Sequence, residues 1–558
     1  MSIAYLKYKK YFLIFLFLFA LNLFIFRDLL AKINSNLIDW RDYPFVIWVI
    51  EENLWHLKNF AFTSWSNLNI FYPLPLTLFF SDTFFTQTLM ALPLSFLITN
   101  KILLFNILFF MSLALNCLTV EFFWSRFTKN QLYLLSISIF TLFSTMFFAN
   151  LHHFQVFSFW PFFLTLGILF SSTTNLKKAL WLALATAVQA YSSLYLAIFL
   201  LLLISLHALI FKQIKNYLYF LSIFLILFSP LLYGYVSTRL VYDAKREYGE
   251  YVQYSLNLTD YFFYANLGSI FNKLPVIQKW QSFNFRYDGI FPGISVSILS
   301  LLGLLKFKKI KSRFYLALAF KKTDLFFFLV LIFSFIASLG PRLNIAGIYT
   351  SIPLPYHFLL KFFPPLEFVR VITRWYIPFS VSLFYFSLQG LKKIKHPTLI
   401  CLLVIINLLE FVPINLKSDY YDYLPSVYQK INCRPEQVLI EYPLTQFDND
   451  ASILDNLVYR TSLMLASTHH HCNLVNGYSG YIPQAYEAYE SELFAAQEAS
   501  NSAQFFKLLN SKNVSYFKLN KQEIFTDRTN LLSSWMKQEK DYQLIFEDDD
   551  YLLAKKND

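Results

Sequence analysis

The residues best suited to chemistry come early in the chain. Asp39 and Asp42 stand in IDWRDYP, and Glu51, Glu52 and His56 follow in WVIEENLWH. Carboxylates set among Trp, Tyr and Phe near a bilayer are costly unless solvated or paired. One partly withdrawn from water is poised to take a proton near neutral pH. The competing reading is a wet loop whose acids face water or pair with Arg41 and Lys58. A second group is the turn ANLHHFQ, with His152 and His153, answered by Gln189, Tyr191, Ser192, Ser193 and Tyr195 in QAYSSLY. Adjacent histidines do not share a helix face and chelate poorly, so substrate contact suits them better than metal; otherwise they decorate an interfacial turn. Third are Arg342 in GPRL and the pair Arg370 and Arg374 in FVRVITRW, whose spacing predicts one helix face. An arginine fork gives planar, permanently charged donors for a phosphate, and its alternative is snorkelling toward headgroups. STHHHC, Ser467 to Cys472, is dense in metal ligands, yet no partners with zinc spacing occur elsewhere, so no metal is expected. The sequence has neither a Gly-rich phosphate loop after a strand nor GxSxG, which excludes nucleotide-driven transport by a P-loop.

What must position these residues is a membrane. Of 558 residues 56% are hydrophobic, 20% aromatic and only 15% charged, against roughly a quarter charged in a soluble chain. Apolar runs of spanning length read as about eleven spans: Tyr11 to Phe26, Ile102 to Trp124, Leu132 to Phe148, Phe154 to Ser171, Ala179 to Ala190, Leu194 to Phe211, Tyr217 to Val236, Gly289 to Leu305, Leu325 to Leu339, Trp375 to Leu391 and Pro397 to Phe411. Phe79 to Thr99, apolar but opened by Ser81 and Asp82, reads as an interfacial helix.

The net charge of +12 would raise nucleic acid as a partner in a soluble protein. Here the cations punctuate spans: Lys7, Lys9 and Lys10; Arg126 and Lys129; Lys177 and Lys178; Lys212 and Lys215; the run from Lys306 to Lys322; Lys392, Lys393 and Lys395. All fall on one side, so the positive-inside rule places the N-terminus in the cytoplasm of an inner-membrane protein. No small-x-small site follows the first run, which is expected to be a retained span. An odd span count puts the tail outside, together with loops 27–101, 237–288 and 340–374. The organisation expected is therefore mainly α: a polytopic transmembrane bundle over 1–412, and an extracytoplasmic α/β domain over 413–558. In that domain VLIEYPL, VSYFKL and YLLAKK read as strands, with a further apolar stretch at LMLAST and helix periodicity in AYEAYESELFAAQEA. Cys433 and Cys472 can pair if that region is oxidising; otherwise they are two buried thiols.

Taken in order, IDWRDYP, IFYPLPLTLFFSD, LHHFQ before a Trp-Pro span, QAYSSLY, GIFPG, SLGPRL, PLPYHFLLKFFPPLEFVRVITRW and VNGYSGYIP resemble a group of bacterial multispan proteins described as glycosyltransferases. That group is similar in layout to the C-type glycosyltransferase superfamily, which includes protein mannosyltransferases and lipid A aminoarabinose transferases. The resemblance implies a helix bundle acting at its outer face on a sugar carried by a polyprenyl phosphate, with a first-loop carboxylate as general base. By position, Asp42 would be that base and Asp39 its second carboxylate. Arg342, Arg370 and Arg374 would lie near the lipid phosphate, and Asp82 would be the acid after the second outer helix.

Glu51, Glu52, Asp82, His152, His153, Gln189, Tyr478 and Tyr481 complete the candidate substrate contacts, the two tyrosines lying in a Gly-bent loop that can stack on a sugar or pack the domain onto the membrane. The lipid-linked donor is a co-substrate, and no cofactor is expected. Partners are membrane lipid, the polyprenyl-phosphate sugar and a glycan, lipid or protein acceptor, with no nucleic acid. The runner-up is a non-catalytic flippase or export component for lipid-linked glycans. Such a transporter would carry ionisable residues through mid-membrane, often in repeats, whereas here they collect at the outer ends.

Overall fold

Phe143 and Ser144 interrupt the apolar run from Leu132 to Phe148, splitting it into Gln131–Leu142 and Thr145–Phe148. The computed structural model describes residues 3–172, 176–282, 289–305, 321–421, 424–434, 436–445 and 453–557. Much of the basic run after Lys306 lies outside them. The described residues are mostly helical, which fits the mainly α expectation.

Among the described residues four helical segments are long and apolar enough to cross a membrane: Lys101–Trp124, Gln131–Phe148, Leu194–Phe211 and Ile214–Tyr242. Eleven spans are not supported. Several of the expected runs fold as shorter helices, including Ile294–Leu304, Pro397–Phe411, Tyr376–Leu391 and Lys322–Ser338. At 1.5 Å per residue these are about 15 to 25 Å long, less than a hydrocarbon core of roughly 30 Å. Phe79 to Thr99 is likewise not one interfacial helix. It divides into the 3-10 turn ending at Phe80, the helix Phe85–Ala91 and a second 3-10 turn, Leu94–Phe96. Phe84, with φ 50°, and Pro93 mark the breaks.

The chain forms two compact units, and their boundary is not at residue 412. The first comprises Met1–Ala31, Phe109–Ser229 and Lys245–Lys417; the second comprises Lys32–Leu108, Pro230–Ala244 and Ser418–Asp558. The first long loop is thus part of the same unit as the C-terminal region. The strands are β1 (Asn36–Leu37), β2 (Arg342–Ile345), β3 (Ile348–Pro353), β4 (Asp419–Tyr420), β5 (Val438–Tyr442), β6 (Asn473–Leu474), β7 (Val514–Asn520), β8 (Tyr542–Glu547) and β9 (Tyr551–Lys556).

In the first unit Ile294–Leu304 packs on Tyr376–Leu391 through glycines. A Cβ at Gly390 would lie 2.0 Å from the Leu299 carbonyl oxygen, and one at Gly303 would lie 2.0 Å from that of Phe386. Only glycine lets two backbones approach so closely, the device that membrane helices use for lack of a hydrophobic drive between them. Asparagines cap the carbonyls freed by helix breaks: Asn407 Nδ2 donates to Phe143 O at 2.7 Å and Asn116 Nδ2 to Phe157 O at 2.9 Å. Asn407 Nδ2 is the donor that satisfies Phe143 O, while Phe157 O also accepts from the Phe159 N–H at 2.9 Å.

In the second unit β6-β5-β7-β9-β8 form one sheet, with β5 parallel to β6 and β7 and the last three strands antiparallel. Val438, Ile440, Phe517, Leu519, Leu532 and Leu552 form its apolar core. The apolar stretch LMLAST lies in the helix Ile453–His470, and AYEAYESELFAAQEA forms most of the helix Gln484–Glu498, its last residue Ala499 being the C-cap. The first loop is stitched to this domain. β1 pairs with β4, Tyr72 N–H donates to Leu474 O at 2.9 Å, and Leu474 N–H donates to Asn69 O at 2.7 Å. Cys433 and Cys472 form a disulfide.

Candidate functional site

The arginines do not form one fork. Arg370 lies between the 3-10 turns Pro364–Phe368 and Ile372–Trp375, not on a shared helix face with Arg374. Pro364 and Pro365 lack the backbone donors an α-helix would need there. Each guanidinium stacks on a different tyrosine: Arg342, exposed at the start of β2, over Tyr248 at 5.6 Å, Arg370 over Tyr254 at 5.1 Å, and Arg374 over Tyr195 at 4.5 Å.

Arg374 differs from the others in burial. It is only 6% exposed, and among the described residues no carboxylate forms an ion pair with it. Trp375 fixes its segment, packed against Phe199 at 4.3 Å and aimed at the Tyr356 hydroxyl. The turn that presents Tyr195 also holds two buried groups, Gln189 Oε1 and Ser193 Oγ, with no hydrogen-bond partner. The turn from Gln189 to Tyr195 and Arg374 are therefore brought together through the Tyr195 ring. Buried charge without a counter-charge is expensive, so this arrangement fits an anion that completes it. His152 and His153 lie in the same unit, on the turn before Phe154–Phe157, the first exposed and the second half-buried at the helix N-cap.

The acidic group belongs to the second unit. Asp42 is the N-cap of Tyr43–Lys58, with Pro44 in the first turn, and its side chain makes no capping bond. It is half-buried. Asp39 is buried and paired: its Oδ1 accepts from the Arg41 backbone N–H at 3.0 Å and from Arg41 Nε at 3.1 Å. Of the two readings of this loop, pairing with Arg41 holds for Asp39. Tyr43 is fully buried beside both aspartates; burial first, and then their charges, push its hydroxyl well above the usual tyrosine value, so it stays a neutral donor.

One helical face further on, Glu51 is pushed up by burial, an effect opposed by Lys101 and Lys58 and reinforced by Glu52. Glu52 is 3% exposed, its Oε1 lies 3.7 Å from His471 Nδ1, and that oxygen has no hydrogen-bond partner. Lys58 does not reach the acids; it donates to Ser95 O at 3.0 Å. Asp82 is buried between the turn ending at Phe80 and the Phe85–Ala91 helix. Tyr478 packs edge-on against Phe45, and the Tyr481 hydroxyl donates to Tyr242 O at 3.0 Å. Tyr481 thus packs within its unit.

Ligand atoms of Cys433, His470 and Cys472 converge within 4.8 Å. The donor set does not suit a metal in this state. Both sulfurs are in the disulfide, and His470 Nδ1 accepts the Cys472 N–H at 3.1 Å, which leaves the ring proton on Nε2. Burial drops the His470 pKa to about 3, so the ring is neutral.

Sequence reasoning missed His471 as a neighbour of Glu52, and it missed Lys518 and Glu441 altogether. Their signal was present: each is a charged residue inside an otherwise apolar strand, VSYFKL and VLIEYPL.

No curated protein matches the chain. Residues 51–414 match a family described as a domain of unknown function, DUF6311, a stretch that begins at Glu51 and contains Gln189, Tyr195 and Arg374 but neither Asp42 nor the sheet domain. Matched over more than half its length, the chain belongs to the DUF6311 family.

Proposed function

We propose that this protein is a membrane glycosyltransferase that moves a sugar from a polyprenyl-phosphate donor to an acceptor on the extracytoplasmic side. The observation that carries the reading is Arg374, a buried guanidinium with a tyrosine face on one side and, among the described residues, no carboxylate partner. A lipid phosphate supplies the missing charge and accepts two parallel N–H bonds. Outside the cytoplasm no nucleotide sugar is at hand, so a lipid-borne donor is the chemistry that fits. The Cys433–Cys472 disulfide supports an oxidising compartment for the C-terminal domain.

In the reaction, the acceptor oxygen forms a bond to the sugar C1 while the C1–O bond to phosphate breaks. The acceptor proton passes to a carboxylate, and polyprenyl phosphate leaves with the bonding electrons. Asp42 takes the base role that the resemblance implies. Asp39, tied to Arg41, stays charged and positions the start of the helix. Asp42→Asn is expected to abolish transfer from a synthetic polyprenyl-phosphate sugar by purified protein, with expression and membrane insertion intact. Full turnover by that variant overturns the assignment. A flippase or export component would instead move the lipid across a vesicle bilayer and form no glycoside. A reporter active only outside the cytoplasm, fused after Asp558, tests the side.

A further inference from the structure

The C-terminal sheet carries a polar cavity that lies outside the region matched by the DUF6311 family. β5 and β7 run parallel with Glu441 opposite Lys518. Val438, Ile440, Phe517 and Leu519 face the apolar core; with the two-residue period of a strand, Glu441, Lys518 and Asn520 point to the opposite face. There Lys518, 1% exposed, donates to Glu441 Oε2 at 2.6 Å and to the Tyr428 hydroxyl at 2.9 Å. Its ammonium sits over the rings of Tyr428, at 4.2 Å, and Tyr551, at 4.8 Å. Two of its three donors are used, and a cavity of about 190 Å³ opens beside it.

The cavity lies at the carboxyl end of β7, and Tyr459 and Ser462 line it from the helix that follows β5. Chain order runs from β5 to β6 on one side and then back across to β7 on the other. Such a reversal leaves a crevice at the strand ends, where open α/β sheets bind ligands. Asn520 closes the floor. It is 4% exposed, its Nδ2 donates to the Tyr459 hydroxyl at 2.6 Å, and its Oδ1 has no partner. A buried amide oxygen left unpaired, on a residue that lines the cavity, calls for a donor from outside the fold.

The lining selects the ligand class. Lys518 is already neutralised by Glu441, and Glu523 and Asp550 stand at the cavity wall, so an anion meets no spare cation and two carboxylates. An apolar ligand would strand the amide and the ammonium. We propose that this cavity binds one neutral saccharide unit, a hydroxyl donating to Asn520 Oδ1 and a ring or hydroxyl oxygen accepting from Lys518. The inference is independent of the transferase reading, since a chain that transfers nothing would still bind a sugar here.

The test uses the full-length protein in detergent micelles and saturation-transfer NMR with free glucose, galactose, mannose and N-acetylglucosamine, each tried alone. At least one is expected to bind. Asn520→Leu should weaken it by about tenfold or more, the scale of one lost hydrogen bond in a buried site, and Gln522→Ala, at the exposed edge of the cavity lining, should weaken it measurably as well. Arg374→Gln should leave it unchanged, which separates this cavity from the donor site. Gln522 is exposed, so its variant keeps the question decidable if Asn520→Leu does not fold. Binding of none of the four sugars, binding indifferent to Gln522→Ala, or displacement of the sugar by inorganic phosphate would overturn the proposal.

Discussion

Arg374→Gln separates a ligand-binding arginine from a structural one by the sign of two measurements. A structural arginine is held by an acid, and removing it strands that acid, at a cost of about 3 to 5 kcal/mol. Among the described residues Arg374 strands no acid: its contact is the Tyr195 ring at 4.5 Å, a cation–π interaction of about 0.5 to 2 kcal/mol. Against that loss stands relief from burying a charge at 6% exposure. Ligand-free stability is therefore expected to move by less than about 2 kcal/mol in either direction. Affinity for the lipid phosphate should fall much further. Hydrogen bonds to a charged group are worth about 1.5 to 3 kcal/mol, so losing the guanidinium predicts a Kd raised roughly 10- to 150-fold. Arg374→Lys should recover only part of it, because an ammonium cannot make two parallel bonds. Native mass spectrometry of protein titrated with polyprenyl phosphate reads the affinity, and thermal unfolding of the same samples reads the stability. A variant with unchanged affinity and a stability loss beyond about 3 kcal/mol would refute the reasoning and make Arg374 a structural residue.

His470, neutral in the fold with a pKa of about 3, is protonated near 6.5 once unfolded. As pH falls from 6.5 toward 3 the unfolded state takes up a proton that the native state refuses, so stability drops by up to about 1.4 kcal/mol per pH unit; His470→Gln should flatten that slope in chemical unfolding of the C-terminal domain. Reducing the Cys433–Cys472 disulfide reopens a loop of 39 residues and should cost about 4 kcal/mol by chain entropy, seen as a lower melting temperature in reductant and in Cys472→Ser alike. Gly390→Ala places a methyl against the Leu299 carbonyl oxygen at 2.0 Å and should cost about 1 to 3 kcal/mol; Gly249→Ala, which meets nothing within 4 Å, is the control.

How far the sequence could be read depends on which interactions fixed each feature. Mainly helical character followed from composition, and β5, β7 and β9 from their apolar runs, because burial on a helix or strand face leaves a periodic trace. Span number was not legible. The breaks at Phe143 and before Pro161 are made by partners distant in sequence, Asn407 and Asn116, which cap freed carbonyls and so let an apolar run bend. A run of hydrophobic residues carries no record of such caps. Arg370 and Arg374 illustrate the opposite error. Their spacing fits a helix, yet the preceding prolines and two separate tyrosines decide their placement. Sequence also grouped the first long loop with the spans, whereas pairing of β1 with β4 and of Asn69 and Tyr72 with Leu474 gives it to the sheet domain.

That last assignment bears on where specificity resides. The loop that carries Asp42, Glu51 and Glu52 is fixed by backbone bonds to the β6 edge, and the same unit holds the disulfide, His471 and the Lys518 cavity. Glu52 reaches His471 at 3.7 Å because the helix Tyr43–Lys58 packs on Ile453–His470, and the left-handed turn at His471, φ 52°, ends that helix and aims the imidazole. A helix contact of this kind transmits displacement, because packed side chains do not deform continuously. The helix Ile453–His470 thus touches both the cavity beside β7, through Tyr459 and Ser462, and the acidic helix, within one compact unit. Arg374 belongs to the other unit, with Tyr195 and the unmet polar groups of Gln189 and Ser193. The Arg374 group and the Lys518 cavity thus belong to different compact units of the chain, so substitutions at one can be read without altering the contacts of the other.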